Sequence, residues 1–214
     1  MMTLFGKDNH YSIIVAPRCG STSMMQYFSP APDRNKHSLK TCLDAPNPII
    51  VLRKPADRSK SGSVMAVQII RNVMNNTATI VKEIAKSVKV SHTSKDLMCR
   101  ALIEEHCGPW LVPNIGPYIN PVEPWMKWEF TKQYDLLSKL RYIRFEELDE
   151  YISSTKHGFS VDYSIEMPVI HYNEIHGWDQ TISPHDLYLE EELYAYIILH
   201  AKKISPAEWL KLKK

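Results

Sequence analysis

The sequence predicts an α/β fold in which a central parallel sheet is flanked by helices in three layers. Short β-branched apolar runs are typical of buried strands, and stretches with helical spacing separate them. Strands that alternate with helices favour a parallel sheet covered on both faces. The 214 residues suit a single domain over 1–214, with a helical and proline-rich insert at about 75–135.

The predicted strands are short and end at polar residues or prolines. Tyr11–Ala16 reads YSIIVA and stops at Pro17, and Pro48–Arg53 reads PIIVLR. Arg141–Phe145 has the same character. A further short strand is expected near His37–Cys42.

The predicted helices lie between and after these strands. Pro55 has the position of a first-turn proline, so a helix is expected from there into the low seventies. Gly108–Pro124 holds five prolines and is predicted to be a long irregular segment, of the kind that is often functional. The other expected helices are Ser21–Phe28, Thr79–Val88, Ser94–His106, Glu146–Ser153, His185–Lys203 and Pro206–Leu212.

The composition excludes several classes of protein. The longest apolar runs fall far below the ~18 residues of a membrane span, and the first twelve residues lack the apolar stretch of a signal peptide. A pI of ≈ 8.2 without a basic stripe argues against a nucleic-acid partner. We therefore expect a cytoplasmic or otherwise soluble protein with no membrane partner, and the sequence predicts no oligomeric state.

The four cysteines show neither a CxxC pair nor the spacing of a metal finger, so no metal is expected. Cys99 and Cys107 would be able to pair in an oxidising compartment. Two reduced thiols are the favoured interpretation.

Basic residues concentrate in one part of the chain. Between Arg18 and Lys60 there are eight basic residues and three aspartates, whereas the whole chain has a net charge of +2. A local positive field attracts anions, although a solvated basic face gives the same pattern. Two motifs lie within this stretch and favour the anion.

The first motif, Pro17–Ser23, reads PRCGSTS and joins a predicted strand to a predicted helix. Such a turn directs backbone N–H groups and the positive helix end at one spot, where an anion binds. Gly20 allows close approach of a phosphate, and Arg18 adds a bidentate cation. A Walker A loop needs a Lys where Ser21 stands. The alternative is a plain capped turn with Ser21 as N-cap.

The second motif, Arg53–Ser61, reads RKPADRSKS and follows the second predicted buried strand. Arg53 stands at the carboxyl end of that strand, where ligands of open α/β sheets bind. Arg58 and Ser61 are three residues apart, so they share a helix face and would clamp a second phosphate. The alternative is a basic helix N-terminus with a surface serine, which the helix dipole disfavours unless an anion binds.

Together the two motifs resemble those of the sulfotransferases that use PAPS (3′-phosphoadenosine-5′-phosphosulfate). In that family a P[KR]xG[ST][ST] loop cradles the 5′-phosphosulfate, and an RxPxxRxxS pattern holds the 3′-phosphate. The resemblance implies a P-loop NTPase-like sulfotransferase fold, with PAPS as co-substrate and PAP as product. The cofactor-binding residues that it implies are Arg18, Cys19, Gly20, Ser21, Thr22, Ser23, Arg53, Arg58 and Ser61.

The resemblance also bears on the acceptor. Arg18, where many cytosolic members have Lys, is more similar to the carbohydrate-modifying branch, which implies a glycan hydroxyl as acceptor. Tyr142–Leu148 resembles the strand and Glu-[DE]-Leu segment of the family. One departure is Asn173–Trp178, which has no Arg or Lys where many members have a basic loop.

Sulfuryl transfer needs a base to take the proton of the acceptor hydroxyl, and histidine titrates in the right range. His37 is the predicted base, because several glycan sulfotransferases have a base in this region; a surface histidine in a polar turn is the alternative. Glu105 and His106 are further candidates. Arg18 is predicted to stabilise charge on the bridging oxygen.

Aromatic residues of the proline-rich segment fit either sugar stacking or a folded core. They are Trp110, Tyr118, Trp125 and Trp128.

Two rival functions stay open from the sequence. The first is a P-loop kinase-like nucleotide-binding enzyme with a degenerate Walker A loop. The second is a protein that binds PAP without catalysing transfer.

Overall fold

The computed structural model describes residues 2–5, 10–21, 24, 38–75, 86, 95–119, 136–152 and 182–213. The chain forms two compact units. Unit 1 comprises Met1–Pro55, Trp110–Phe159 and Tyr188–Lys214, and unit 2 comprises Ala56–Pro109 and Ser160–Leu187. Compactness does not decide whether each unit folds alone, so the single domain over 1–214 with an insert at about 75–135 stays a prediction.

Unit 1 is built on a sheet whose described strands have the order β1-β2-β3-β4-β5. β1 is antiparallel to β2, whereas the four strands β2, β3, β4 and β5 run parallel to one another. A parallel sheet flanked by helices confirms the predicted α/β class. The strands are β1 (Met2–Phe5), β2 (Ser12–Val15), β3 (Pro48–Leu52), β4 (Arg141–Arg144) and β5 (Lys202–Lys203).

The central strands are buried on both faces. Ile13 and Ile14 of β2 are fully buried, as are their register partners Ile49 and Ile50 of β3. Successive side chains of a strand point to opposite faces, so both faces are covered along β2 and β3. The continuous β-branched runs in the sequence arise from this two-sided burial.

The helices flank this sheet or belong to unit 2. The long helix predicted from Pro55 is confirmed and extends to Asn75. Of the helices in the described residues, none combines the length and apolar character that crossing a bilayer requires. They are α1 (Leu39–Leu43), α2 (Pro55–Asn75), α3 (Lys95–Cys107), α4 (Leu111–Asn114), α5 (Gly116–Ile119), α6 (Leu148–Tyr151), α7 (Pro184–His200) and α8 (Pro206–Lys213), with a 3₁₀ turn at Phe145–Glu147.

The strand predicted near His37–Cys42 is wrong, since most of it forms helix α1. Ser38 is the N-cap of this helix, and its Oγ accepts the Thr41 N–H at 3.1 Å. Ser38 therefore satisfies one of the unpaired donors of the first turn. The cap at Ser38 thus favours a helix where a short strand was expected.

The irregular segment predicted at Gly108–Pro124 is also corrected, because α4 and α5 lie within it. The buried carboxylate of Glu190 accepts the N–H groups of Trp110 (2.9 Å) and Val112 (2.7 Å), at the start of α4. The prolines fit because the first turn of a helix leaves N–H groups unpaired, so a missing donor costs little there. Residues 120–124 lie outside the described part of the chain.

The helix predicted at His185–Lys203, which is α7, ends earlier than expected. It ends at His200, and Lys202–Lys203 form β5, with Lys202 N–H donating to Leu140 O at 3.2 Å. Pairing with β4 outweighed the helical tendency of these residues. β1 had no counterpart in the predicted strands, since four residues give too short a pattern. The helix predicted at Thr79–Val88 lies outside the described residues except for position 86.

Unit 2 packs α2 closely against α3. A Cβ added at Gly62 would lie 1.9 Å from the His106 carbonyl oxygen, so the two backbones approach as only glycine permits. Ser59 Oγ donates to Cys107 O at 3.2 Å, within the same contact. Among the described residues of this unit, the buried apolar ones are Ala66, Ile70, Met98, Cys99, Leu102, Ile103, Cys107 and Ile182.

Candidate anion-binding site

The site begins with the register of the sheet. Val15 of β2 pairs with Val51 of β3, and Val51 pairs with Ile143 of β4. The three strands run parallel, so their carboxyl ends meet at one edge. The segments that follow them, beginning at positions 16, 53 and 145, therefore lie side by side in unit 1.

The turn after β2 has an unusual backbone. Arg18 and Gly20 both have positive φ, at 66° and 82°. Cys19 N–H donates to Ala16 O at 3.2 Å, which closes the turn. A non-glycine residue in the left-handed region is uncommon and is held there by its surroundings. We call Pro17–Ser21 the phosphosulfate turn, after the ligand that the family resemblance implies for it.

A helical turn starts directly after Gly20. Met24 N–H donates to Gly20 O at 2.9 Å, so Gly20 has the N-cap position and Ser21 is the first helical residue. This corrects the alternative in which Ser21 was the N-cap. In general the first N–H groups of a helix have no partner within the helix. Thr22 and Ser23 lie outside the described residues.

Glycine is required at position 20 for two reasons. Its φ favours a residue without a Cβ, and a Cβ there would lie 2.6 Å from Leu148 Cδ2 and 3.2 Å from the Phe145 ring. The turn is therefore packed tightly on the segment that follows β4.

Arg53 supports the same turn. Its side chain is 7% exposed, and its Nη1 donates to the Arg18 carbonyl oxygen at 2.9 Å. Its Cζ lies 4.4 Å from the centre of the Phe145 ring, which is cation–π geometry. Arg53 thus follows the end of β3, as predicted, and it also contacts the first motif directly.

The end of β4 brings carboxylates to this edge. Glu146 Oε1 accepts the Lys54 N–H at 3.2 Å. Lys203 Nζ lies 2.6 Å from Glu147 Oε2, and this hydrogen bond raises the pKa of Lys203. The pKa of Tyr194 is raised by burial and then by the negative charge of Glu146. The edge therefore has a basic side after β2 and β3 and an acidic side after β4.

Arg58 and Ser61 belong to unit 2, on helix α2. Arg58 is 2% exposed, and its Nη2 donates to the Gly108 carbonyl oxygen. Ser61 is 8% exposed. The pattern RxPxxRxxS thus spans the boundary between the units, with Arg53 in unit 1 and the helical pair in unit 2.

The predicted site residues fall into three groups. Arg18, Cys19, Gly20, Ser21 and Arg53 come together in unit 1. Arg58 and Ser61 lie in unit 2, as do the alternative bases Glu105 and His106. The residues that lie outside the described part of the chain are Thr22, Ser23, His37 and the segment 173–178.

The aromatic residues of the predicted acceptor region have core positions where they are described. Trp110 is 7% exposed and belongs to the core of unit 1, and Tyr118 packs against that core. These contacts favour the core interpretation for both residues. Trp125 and Trp128 lie outside the described residues.

Sequence reasoning missed the roles of Phe145 and Glu146 at the site. Both follow a strand that pairs with β3, so the signal was present in the predicted strand at Arg141–Phe145. What was missing was the strand order, because only the order shows that β4 ends beside Arg53.

All four cysteines are described, buried and carry thiols, including Cys99 and Cys107. Burial raises the pKa of the Cys42 thiol to about 11.

Comparison with known proteins gives no relative: no family model, no curated protein and no solved structure matches the chain.

Proposed function

We propose that this protein is a sulfotransferase that moves a sulfuryl group from PAPS to an acceptor hydroxyl, on a glycan, and releases PAP. The proposal includes the finer fold, a P-loop NTPase-like sulfotransferase fold. The observation that carries it is the phosphosulfate turn, in which a buried strand is followed by two left-handed residues and the start of a helical turn. The first N–H groups of a helix have no partner within the helix, so this arrangement suits an anion.

The chemistry of the turn supports an anionic ligand. Backbone N–H groups at a helix start attract phosphate or sulfate, and the close packing of Gly20 keeps the backbone in place. Ser21 replaces the lysine of a Walker A loop, which favours a phosphosulfate over a metal-bound triphosphate. The two sequence patterns resemble those of the sulfotransferases that use PAPS, and this resemblance is the reason for proposing PAPS as the anion.

The proposed reaction is an in-line displacement. The acceptor oxygen forms a bond to sulfur, the bond from sulfur to the bridging phosphate oxygen breaks, and PAP leaves. His37 takes the hydroxyl proton, and Arg18 stabilises the charge on the leaving oxygen. Positioning and charge stabilisation supply most of the rate enhancement, as in phosphoryl transfer.

Arg58 and Ser61 have a separate place in the proposal. The family pattern assigns them to the 3′-phosphate, whereas Arg58 already donates to a carbonyl of its own unit. Ser61 is therefore the more informative test of the second pattern. Ser61→Ala is expected to weaken PAP binding.

The experiment is thermal stabilisation by PAP compared with ATP and magnesium. A ligand that binds the native state raises stability in proportion to the logarithm of its concentration over Kd. We expect PAP to raise Tm and Mg-ATP to leave it nearly unchanged. Lys211→Ala, which removes an exposed cation from α8, is the matched control for variants that lose charge.

Three results distinguish the candidates. Stabilisation by Mg-ATP without PAP would replace the proposal with the kinase-like enzyme. PAP binding without transfer to any glycan or simple alcohol would leave a PAP-binding protein. PAP binding with transfer of labelled sulfate from PAPS is the result that the proposal predicts.

A further inference from the structure

We propose that Arg53 and Phe145 form a latch that holds the phosphosulfate turn in its left-handed conformation. Arg53 then acts as a positioning residue, through the Arg18 backbone, instead of as a direct ligand of the donor. The inference rests on the proposed function for the identity of the anion, and on geometry alone for the latch itself.

The first contact of the latch is a hydrogen bond. Arg53 Nη1 donates to the carbonyl oxygen of Arg18, the residue with φ of 66°. A charged donor on a carbonyl is stronger than a neutral one, and it fixes the orientation of the Arg18–Cys19 peptide. This peptide leads into Gly20, where the N–H donors of the turn begin.

The second contact is made by the Phe145 ring, which lies against both Arg53 and Gly20 of the turn. The Arg53 guanidinium lies over the ring at 4.4 Å, and the Cβ site of Gly20 lies 3.2 Å from ring carbons Cδ2 and Cε2. One ring therefore orients the arginine and limits the position of the glycine. Leu148 adds to this support, because its Cδ2 lies 2.6 Å from the same Cβ site of Gly20.

Burial supports a positioning role for Arg53. The side chain is 7% exposed, and one of its terminal nitrogens is committed to the Arg18 carbonyl. The planar guanidinium suits such a place because it can stack on a ring and donate in its plane at once. A lysine ammonium offers a point charge without that plane.

The turn contains its own reporter. Cys19 lies between the two left-handed residues and is 1% exposed. Cys42, Cys99 and Cys107 are equally buried, so all four thiols should react slowly while the protein is folded. Opening of the turn would expose Cys19 first, because local opening needs less free energy than unfolding.

The first experiment measures thiol labelling of the full chain under native conditions. Phe145→Leu should raise the labelling rate at Cys19 at least roughly two- to fivefold, the factor that corresponds to the lower end of the usual strength of a cation–π contact. Arg53→Ala should raise it about tenfold or more, since it also removes a charged hydrogen bond. Phe145→Tyr keeps the ring and should restore the slow rate.

Controls separate the latch from general destabilisation. Tyr118→Leu removes a half-buried ring from the same core and should leave Cys19 labelling unchanged at equal global stability. Adding Cys19→Ser to Phe145→Leu should abolish the fast phase. If Phe145→Leu and Tyr118→Leu accelerate labelling equally, or if the fast thiol is another cysteine, the latch is overturned.

The second experiment is a double-mutant cycle on PAP affinity with Arg53→Ala and Phe145→Leu. A latch predicts that Phe145→Leu weakens binding roughly two- to fivefold although it removes no charge, and that the double variant binds no worse than Arg53→Ala. Additive effects, or no effect of Phe145→Leu, would make Arg53 a direct ligand. Labelling that follows the latch in a protein that binds no PAP would refute the proposed function and leave the latch standing.

Discussion

The two segments that resemble phosphate-binding motifs differ in what determines their structure. The phosphosulfate turn is defined by its backbone, with left-handed residues at Arg18 and Gly20. The segment at Arg58 and Ser61 is an ordinary stretch of helix α2, and its buried arginine donates to a carbonyl of unit 2. Similar sequence evidence thus corresponds to a turn with a left-handed backbone in one unit and to a contact between helices in the other.

Residues that match one sequence pattern, here RxPxxRxxS, therefore differ in their structural roles. Arg53 contacts the first motif, whereas Arg58 joins α2 to the end of α3. The first segment contains Gly20 and the second is followed directly by Gly62, and the surroundings of each glycine oppose a side chain for a different reason. Substitutions at these positions measure the difference.

Gly62→Ala should have the largest effect. Its Cβ would lie 1.9 Å from a backbone oxygen, which cannot move aside as a side chain can. We expect a loss of roughly 3 kcal/mol or more in the free energy of unfolding. Denaturation with urea measures it, and a loss below that of Gly20→Ala would contradict the close approach of α2 and α3.

Gly20→Ala should cost less stability, roughly 2 to 3 kcal/mol, from its positive φ and its contact with Leu148. The matched control is Gly116→Ala, where the new Cβ would make an ordinary 3.5 Å contact with Leu193. Denaturation curves compare the two variants. Equal stability of both would show that the turn is not constrained as described.

Arg58→Ala should remove the donor to Gly108 and cost roughly 1 to 2 kcal/mol of stability. Lys60→Ala, two residues along the same helix and exposed, is the control and should change stability little. Calorimetry gives both values. An Arg58→Ala variant of unchanged stability that loses PAP binding would make Arg58 a ligand instead of a packing residue.

Glu208→Gln, on α8 and outside both segments, should have the smallest effect. It measures how much of the pH dependence of stability arises away from the two segments. Backbone and side-chain bonds with Ser205 and Lys202 lower the pKa of Glu208 to about 2. A lowered pKa adds stability above the unfolded value near 4.5, which is lost as pH falls towards 2. The variant should lose this pH dependence between pH 5 and 2 in thermal melts, and an unchanged profile would contradict it.

The sequence predicted the parts of the fold that depend on local signals. Continuous β-branched runs gave β2 and β3, and Pro55 gave the start of α2. The errors lie where a non-local partner decides, as with Lys202–Lys203 pairing on β4, or where a helix cap decides the conformation of a short segment, as with Ser38 at α1.

The candidate site shows the same division. The turn at Pro17–Ser21 was predictable because a glycine between a strand and a helix is a local signal. The contact of Phe145 with Arg53 was not, since it joins residues 92 positions apart through the order of the strands. His37 stays a prediction, because it lies outside the described residues.

The central claim is that the phosphosulfate turn binds the PAPS donor. The most direct measurement is the shift in Tm that PAP or Mg-ATP causes. It is made on the unaltered chain and on Gly20→Ala, each relative to the same protein without ligand. The account predicts a rise with PAP that Gly20→Ala reduces and no rise with Mg-ATP. A rise with Mg-ATP alone, or a PAP response that Gly20→Ala leaves unchanged, would contradict it.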